Sequence, residues 1–331
     1  MTSHTQRSKW LDFAKGAGIC LVVVYHTTEG TLNSFEDKSG NITLLANYFR
    51  VWLMPMFFMV SGMLVRRSIL HDSHEKLRGK LLDWIYLYLV WSVIIYLTRL
   101  MSNSFTNTHM EVNEILHILW DPVPTIWFIY ALLLSFAITI LLRRQSPALV
   151  VSIALLVNIL NGAFYGWFDD SIFQRLAWIY LFYAIGFYYA ESLKELLLSS
   201  GESRLWILIF LMLSPIVAFI KPYLPFFLLP FLSILTVLVF LKFCLSITRL
   251  APSAKFTELM VYIGGISLYI YLTHFPFPAA TRMLLLKLGI YSHWLTMCCA
   301  VVFAVITGYL ASKLAKGTSV EMLFNRKFFA S

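Results

Sequence analysis

Runs of mainly apolar residues, each about twenty long, recur along almost the whole of this 331-residue chain, and that recurrence limits what it can become. Only 13% of its residues are charged and 59% are apolar, where soluble domains carry about 25% and 45–50%. There is too little polar surface to cover such a chain in water, so the solvent for most of it is lipid. The expectation is an all-α, polytopic transmembrane helical bundle of about ten spans. They fall roughly at residues 10–28, 48–65, 81–100, 125–142, 149–167, 172–190, 205–220, 223–245, 259–279 and 293–311, within a single integral membrane domain covering 1–331. The connections at roughly 29–47, 66–80 and 101–124 are too short to build a separate core.

The formal net charge of +9 does not point to nucleic acid, because Lys and Arg gather in short segments between apolar runs. With the N-terminus inside, every inner segment holds at least two of them, the densest being Arg66, Arg67, Lys76, Arg78 and Lys80. The outer loops hold only Lys38, Arg99, Lys221, Arg282 and Lys287, alongside Glu29, Glu36, Asp37, Glu111, Glu114, Asp169 and Asp170. Positive-inside asymmetry therefore puts both termini in the cytoplasm. Met1–Lys9 is polar and basic with no small-residue cleavage site before Asp12, so the first apolar run is expected to stay as a helix. Cys20, Cys244, Cys298 and Cys299 lie in apolar runs without CxxC spacing, which favours packing over a disulfide framework or a zinc site; no metal is expected.

Ionisable groups inside a span are costly, and each is a candidate for function. The first run, KWLDFAKGAGICLVVVYHT, contains Asp12, Lys15 and His26. Lys15 and His26 are eleven residues apart, which at about 100° per residue is within ~20° of three full turns, with a rise of ~16 Å. They share one helix face at different depths, as the lining of a tunnel would. A plainer reading is that Asp12 pairs with Lys15 at i, i+3, and that His26 is a satisfied interface histidine. In the ninth span, IGGISLYIYLTHFP, His274 lies ~25 Å from Glu258, while Trp10 to His26 rises ~24 Å, so the two histidines come out at similar depth. Ser61 and Gly62 in FFMVSGMLVRR admit either close helix packing or a ligand. Arg66, Arg67, Arg78 and Lys80 are either topogenic charge or an anion site. Trp127 is either an aromatic-belt residue or a site residue. There is no P-loop, GxSxG, HExxH or heptad run.

These segments together resemble the membrane acyltransferase family 3, which includes O-acetyltransferases of bacterial surface polysaccharides. The resemblance runs from about residue 9 to 312. It rests on a basic residue, ten others, then His, preceded by an aspartate (Lys15, His26, Asp12), and on Phe-Phe-x-x-Ser-Gly (Phe57, Phe58, Ser61, Gly62). It also rests on the basic pair Arg78 and Lys80, on Trp127 with Phe128, and on Gly265, Ser267, Tyr271 and His274 of a late Gly-x-Ser motif. The family's opening position is commonly Arg, and here it is Lys15.

The resemblance implies an integral membrane enzyme of a bacterial inner membrane that moves an acyl group, acetyl in the first instance, from cytosolic acyl-CoA to a hydroxyl of a carbohydrate or lipid-linked glycan. No permanently bound cofactor is implied; acetyl-CoA is the donor substrate, and membrane lipids surround the protein. Arg66, Arg67, Arg78 and Lys80 would hold the CoA phosphates. His26 would act as base or acyl acceptor, with Asp12, Lys15 and His274 in the catalytic set, and Ser61, Gly62, Trp127, Tyr271 and Ser267 would line the acceptor site. A transporter or flippase for a glycan precursor or small metabolite, using the same polar stripe as a pathway, is the alternative.

Overall fold

The computed structural model describes residues 9–32, 40–101, 112–123, 125–164, 171–199 and 203–326. The outer-loop charges expected at 36–38, 111 and 169–170, and the inner Arg7, lie outside the described residues. Thirteen α-helices are present among the described residues: α1 (Lys9–Leu32), α2 (Gly40–His71), α3 (His74–Met101), α4 (Trp127–Leu142), α5 (Pro147–Ala163), α6 (Ile172–Tyr188), α7 (Ala190–Leu198), α8 (Ser203–Ile220), α9 (Leu229–Leu250), α10 (Lys255–Gly265), α11 (Ser267–Thr273), α12 (Pro276–Lys287) and α13 (His293–Leu314). Short 3-10 turns complete the order, and no strand occurs among the described residues. Helices are what lipid demands, because each backbone N–H and C=O must be satisfied within its own segment.

Helix covers most of each expected segment among the described residues, though the eighth opens on 3-10 turns and the ninth is broken. Five stretches among the described residues are long and apolar enough to cross a membrane: Ile42–His71, His74–Met101, Ser203–Tyr223, Phe226–Leu250 and His293–Leu314. The pair α10 and α11 makes a sixth if it is one span bent by 66°. The helices α4 and α5 are apolar but shorter, and α1 carries the polar residues discussed above. Lipid as solvent shows in what is left uncovered. Leu82, Ile85, Leu89, Val93 and Leu97 form an exposed apolar stripe at helical spacing on α3, as do Leu205, Leu208, Met212, Ile216 and Phe219 on α8. The chain is an integral membrane protein.

The contacts divide the chain into two compact units. The first comprises Met1–Val60 and Ala190–Ser312. Its centre is aromatic: Trp52 is fully buried with its ring 4.5 Å from that of Phe240, and Phe210 stacks on Phe243 at 4.5 Å. Hydroxyls add helix-to-helix bonds, with Ser233 donating to the Val51 carbonyl at 2.5 Å and Ser214 to the Tyr48 hydroxyl at 2.9 Å. Such bonds and close packing hold helices together where lipid leaves little hydrophobic drive between them. The amphipathic α7 had no counterpart among the expected spans; it buries Ala190, Leu193 and Leu197. Its exposed end carbonyls are met by Lys242 of α9, which is only 6% exposed and donates to Leu197 at 2.6 Å and Ser199 at 2.7 Å. A cation at a helix C-terminus both caps the carbonyls and opposes the helix dipole.

The second unit comprises Ser61–Tyr189 and Lys313–Ser331. Ile69, Leu77, Phe136, Val150, Ala184, Phe187 and Tyr188 form its core. The expected loop at 66–80 is instead nearly all helix, because Arg, Leu, Lys and Glu are good helix formers; only Asp72 and Ser73 separate α2 from α3. Ser73 caps α3 by accepting from the Lys76 N–H at 3.4 Å. The segment after α13 lies along α3: the Trp91 indole donates to the Leu323 carbonyl at 2.8 Å, and Arg326 pairs with Asp83 at 3.0 Å.

Candidate active site

The site in the first unit begins with two glycines. A Cβ on Gly264 would collide with the carbonyl oxygen of Asp12 and stand 3.0 Å from the Gly16 nitrogen, and one on Gly16 would collide with the Met260 carbonyl. With no side chain at either position, the α1 and α10 backbones touch. His26 lies ten residues beyond Gly16, and His274 ten beyond Gly264.

The continuous ninth span expected over 259–279 does not form. The chain leaves the helix at Ile266, bends by 66° into α11, and stops again at His274 before Pro276 opens α12. Glycines at 264 and 265 weaken the helix, and proline supplies no N–H to continue it. Gly308 of α13 packs on the backbone of Ile270, holding α11 from the other side. The outcome is that the His26 and His274 rings lie with centroids 5.3 Å apart, at one level as the helical rise required.

His274 is 1% exposed. Its Nδ1 lies 2.6 Å from the carbonyl oxygen of Tyr271. A carbonyl only accepts, so Nδ1 carries the proton, and in the neutral ring Nε2 holds the lone pair. Nε2 is buried with no hydrogen-bond partner among the described residues. The Tyr271 ring packs 5.7 Å from His274, and Tyr25 lies 5.5 Å from His26. Ser267 opens α11 at the bend. At the other end of α1, Lys15 forms an ion pair with Asp12 at 2.7 Å, on side chains 17% and 8% exposed. The i, i+3 pairing is therefore the one that forms.

The second unit holds the basic residues. The Nη1 of Arg66 donates to the carbonyls of Phe187 at 2.6 Å and Tyr188 at 3.0 Å, closing the end of α6. Lys80 pairs with Asp72 at 2.8 Å and also meets Ser68, which donates to the same carboxylate at 2.6 Å. The Lys80 ammonium, and after it the Ser68 hydroxyl, hold the Asp72 carboxyl below its ordinary value, so this pair persists until pH falls through that lowered value. Arg67 and Arg78 are exposed and make no hydrogen bond or ion pair among the described residues. Arg143 brings Nη2 to 3.4 Å from His74 Nε2 and buries Nη1 without a hydrogen-bond partner among the described residues. Gly62 lies against the Tyr183 carbonyl and the Phe187 nitrogen, so it serves α2–α6 packing; Ser61 precedes it, half-buried. Trp127 begins α4 with the Arg175 guanidinium 5.3 Å over its ring.

Sequence reasoning missed Tyr25 and Arg143. The first sits beside His26 and was readable from adjacency alone; the second gains its buried atom from packing that no local pattern reports.

The helices and the paired imidazoles define a polytopic α-helical membrane protein with a titratable centre built from two separate spans. The family model for the acyltransferase domain of acyltransferase family 3 matches residues 8–313, and the chain belongs to that family. It is similar to the inner membrane protein YcfT of Escherichia coli, 26% identical over an alignment of 216 residues, with 57% of this chain and 58% of that one covered. It is also similar to the nodulation protein NolL of Sinorhizobium fredii, 26% identical over 191 residues, covering 56% and 49%. The chain thus spans about half the length of the curated relatives it matches. No solved structure matches it.

Proposed function

We propose that this acyltransferase moves an acyl group, acetyl in the simplest case, from cytosolic acyl-CoA to a hydroxyl of a carbohydrate or lipid-linked glycan acceptor. The observation that carries the reading is the His26–His274 pair, 5.3 Å apart, with one imidazole nitrogen locked as donor and the other enclosed without a partner. Imidazole takes and returns protons near neutral pH. His26 removes the proton as the acceptor oxygen attacks the thioester carbonyl. The C–O bond forms, the C–S bond breaks, and the proton passes to the departing CoA sulfur. His274, its ring held by the Tyr271 carbonyl, positions His26 through this sequence.

The donor's phosphates are assigned to Arg67 and Arg78, whose lack of partners among the described residues supports the role, together with Lys80. Arg66 contributes by holding the end of α6, and only its remaining N–H groups are available to a ligand. The pantetheine arm is assigned to the Lys15–His26 face of α1, and Ser267 and Tyr271 of the same unit to the acceptor side. The inner membrane is the proposed location, supported by the similarity to an inner membrane protein, with both termini cytoplasmic as the charge asymmetry favours.

Purified protein supplied with acetyl-CoA and an envelope glycan fraction tests the reading by release of free thiol. His26→Ala is expected to slow transfer about 100-fold or more. Turnover near the wild-type rate in that variant overturns the assignment.

A further inference from the structure

The end of α1 that carries His26 also gathers cations for which acyl transfer to a neutral sugar has no use. Arg50 of α2 pairs with Glu29 at 2.6 Å and places Nε 3.4 Å from the Tyr25 hydroxyl. Lys221, in the turn after α8, interacts electrostatically with both Arg50 and Glu29. Arg282 of α12 lays its guanidinium on Gly30, with Nη1 2.5 Å from where a Cβ would stand. Gly30 lies four residues, about one turn, beyond His26 on the same face of α1. Arg282 is half-buried and makes no hydrogen bond or ion pair among the described residues. Glu29 is shared between Arg50 and Lys221, and Arg282 is left as positive charge without a described counter-ion.

Holding a guanidinium half-buried and unpaired is costly, and its planar fork matches an oxyanion. Gly30 is what lets the guanidinium reach the helix a turn above His26. We propose that the acceptor carries an anionic group, a phosphate or a carboxylate, which Arg282 binds beside the histidine pair. This rests on the acyl-transfer reading and narrows it: the acylated hydroxyl belongs to an acidic or phosphate-linked acceptor, held so that the hydroxyl is presented to His26. Gly30 and Arg282 set acceptor choice without touching the donor.

The test uses full-length protein in uncharged detergent. An Arg67→Gln/Arg78→Gln background removes the cations assigned to CoA. Inorganic pyrophosphate, titrated at constant ionic strength, is expected to raise the thermal midpoint. Arg282→Gln is expected to weaken that binding about tenfold, the worth of one charge-assisted hydrogen bond, and Arg282→Lys to restore part of it. Gly30→Ala separates binding from folding. Its new Cβ meets only the far end of the Arg282 side chain, and alanine favours helix over glycine, so the unliganded midpoint holds or rises while pyrophosphate binding weakens. Wild-type affinity in both Arg282→Gln and Gly30→Ala overturns the proposal. So does a midpoint that responds to phosphatidylglycerol over phosphatidylcholine nanodiscs through Arg282 but not to pyrophosphate, since the guanidinium then serves a bulk lipid headgroup. Failure of acyl transfer itself is read separately, as thiol release indifferent to His26→Ala.

Discussion

Gly264 lies so close to Asp12 that a single added carbon would overlap the Asp12 carbonyl oxygen. This contact brings α10 onto α1 and sets the registration from which His274 reaches His26. Because the obstructing atom is backbone, it has no rotamer by which to escape. Gly264→Ala is expected to destabilise the protein by about 1–3 kcal/mol and to depress acyl transfer as the rings separate. Thermal unfolding in detergent measures the first effect, and an unchanged midpoint would contradict so close a helix contact.

His274 offers a way to separate position from chemistry. Asparagine can still donate to the Tyr271 carbonyl from roughly the place of Nδ1, but it has nothing where Nε2 stands. His274→Asn is therefore expected to keep the fold and lower kcat by about 10- to 100-fold, with KM for acetyl-CoA nearly unchanged. A rise in KM with kcat preserved would assign the residue to binding instead.

The Asp12–Lys15 pair predicts a non-additive response. Lys15→Met takes the ammonium away from a carboxylate only 8% exposed, which costs about 1–3 kcal/mol. Adding Asp12→Asn removes the carboxylate charge as well, so the double variant is expected to recover much of the lost stability. A double-mutant cycle on unfolding free energies checks this, and strict additivity would show that the pair contributes nothing to the fold.

The four basic residues of the second unit are expected to divide. Arg66→Gln releases two carbonyls at the end of α6 and lowers the unfolding midpoint. Arg67→Gln with Arg78→Gln leaves the midpoint in place, weakens CoA binding about tenfold or more, and flattens its salt dependence. Calorimetric titration with CoA at two salt concentrations reads both. Equal effects from all three substitutions would erase the distinction between cap and ligand site.

Much of the architecture was legible because lipid is an unforgiving solvent. It requires long apolar runs, it requires helix, and it tolerates Asp12, Lys15 and His26 only if something answers them. The eleven-residue spacing of Lys15 and His26 and the matched depths of His26 and His274 followed from helical rise alone. Tertiary structure decided which partners answered. The Asp12–Lys15 bond, the use of Arg66 as a helix cap, the burial of Lys242 under the end of α7 and the lodging of Arg282 on Gly30 all join residues on terms that no periodicity encodes. The break at Ile266 is of the same kind. Gly264, Gly265 and Pro276 permit a bend, but its 66° angle and the facing of two rings arise from α10 and α11 being packed against α1 and α13 at once. Sequence pattern reports what each segment can tolerate; the choice among tolerated arrangements belongs to contacts between segments far apart along the chain.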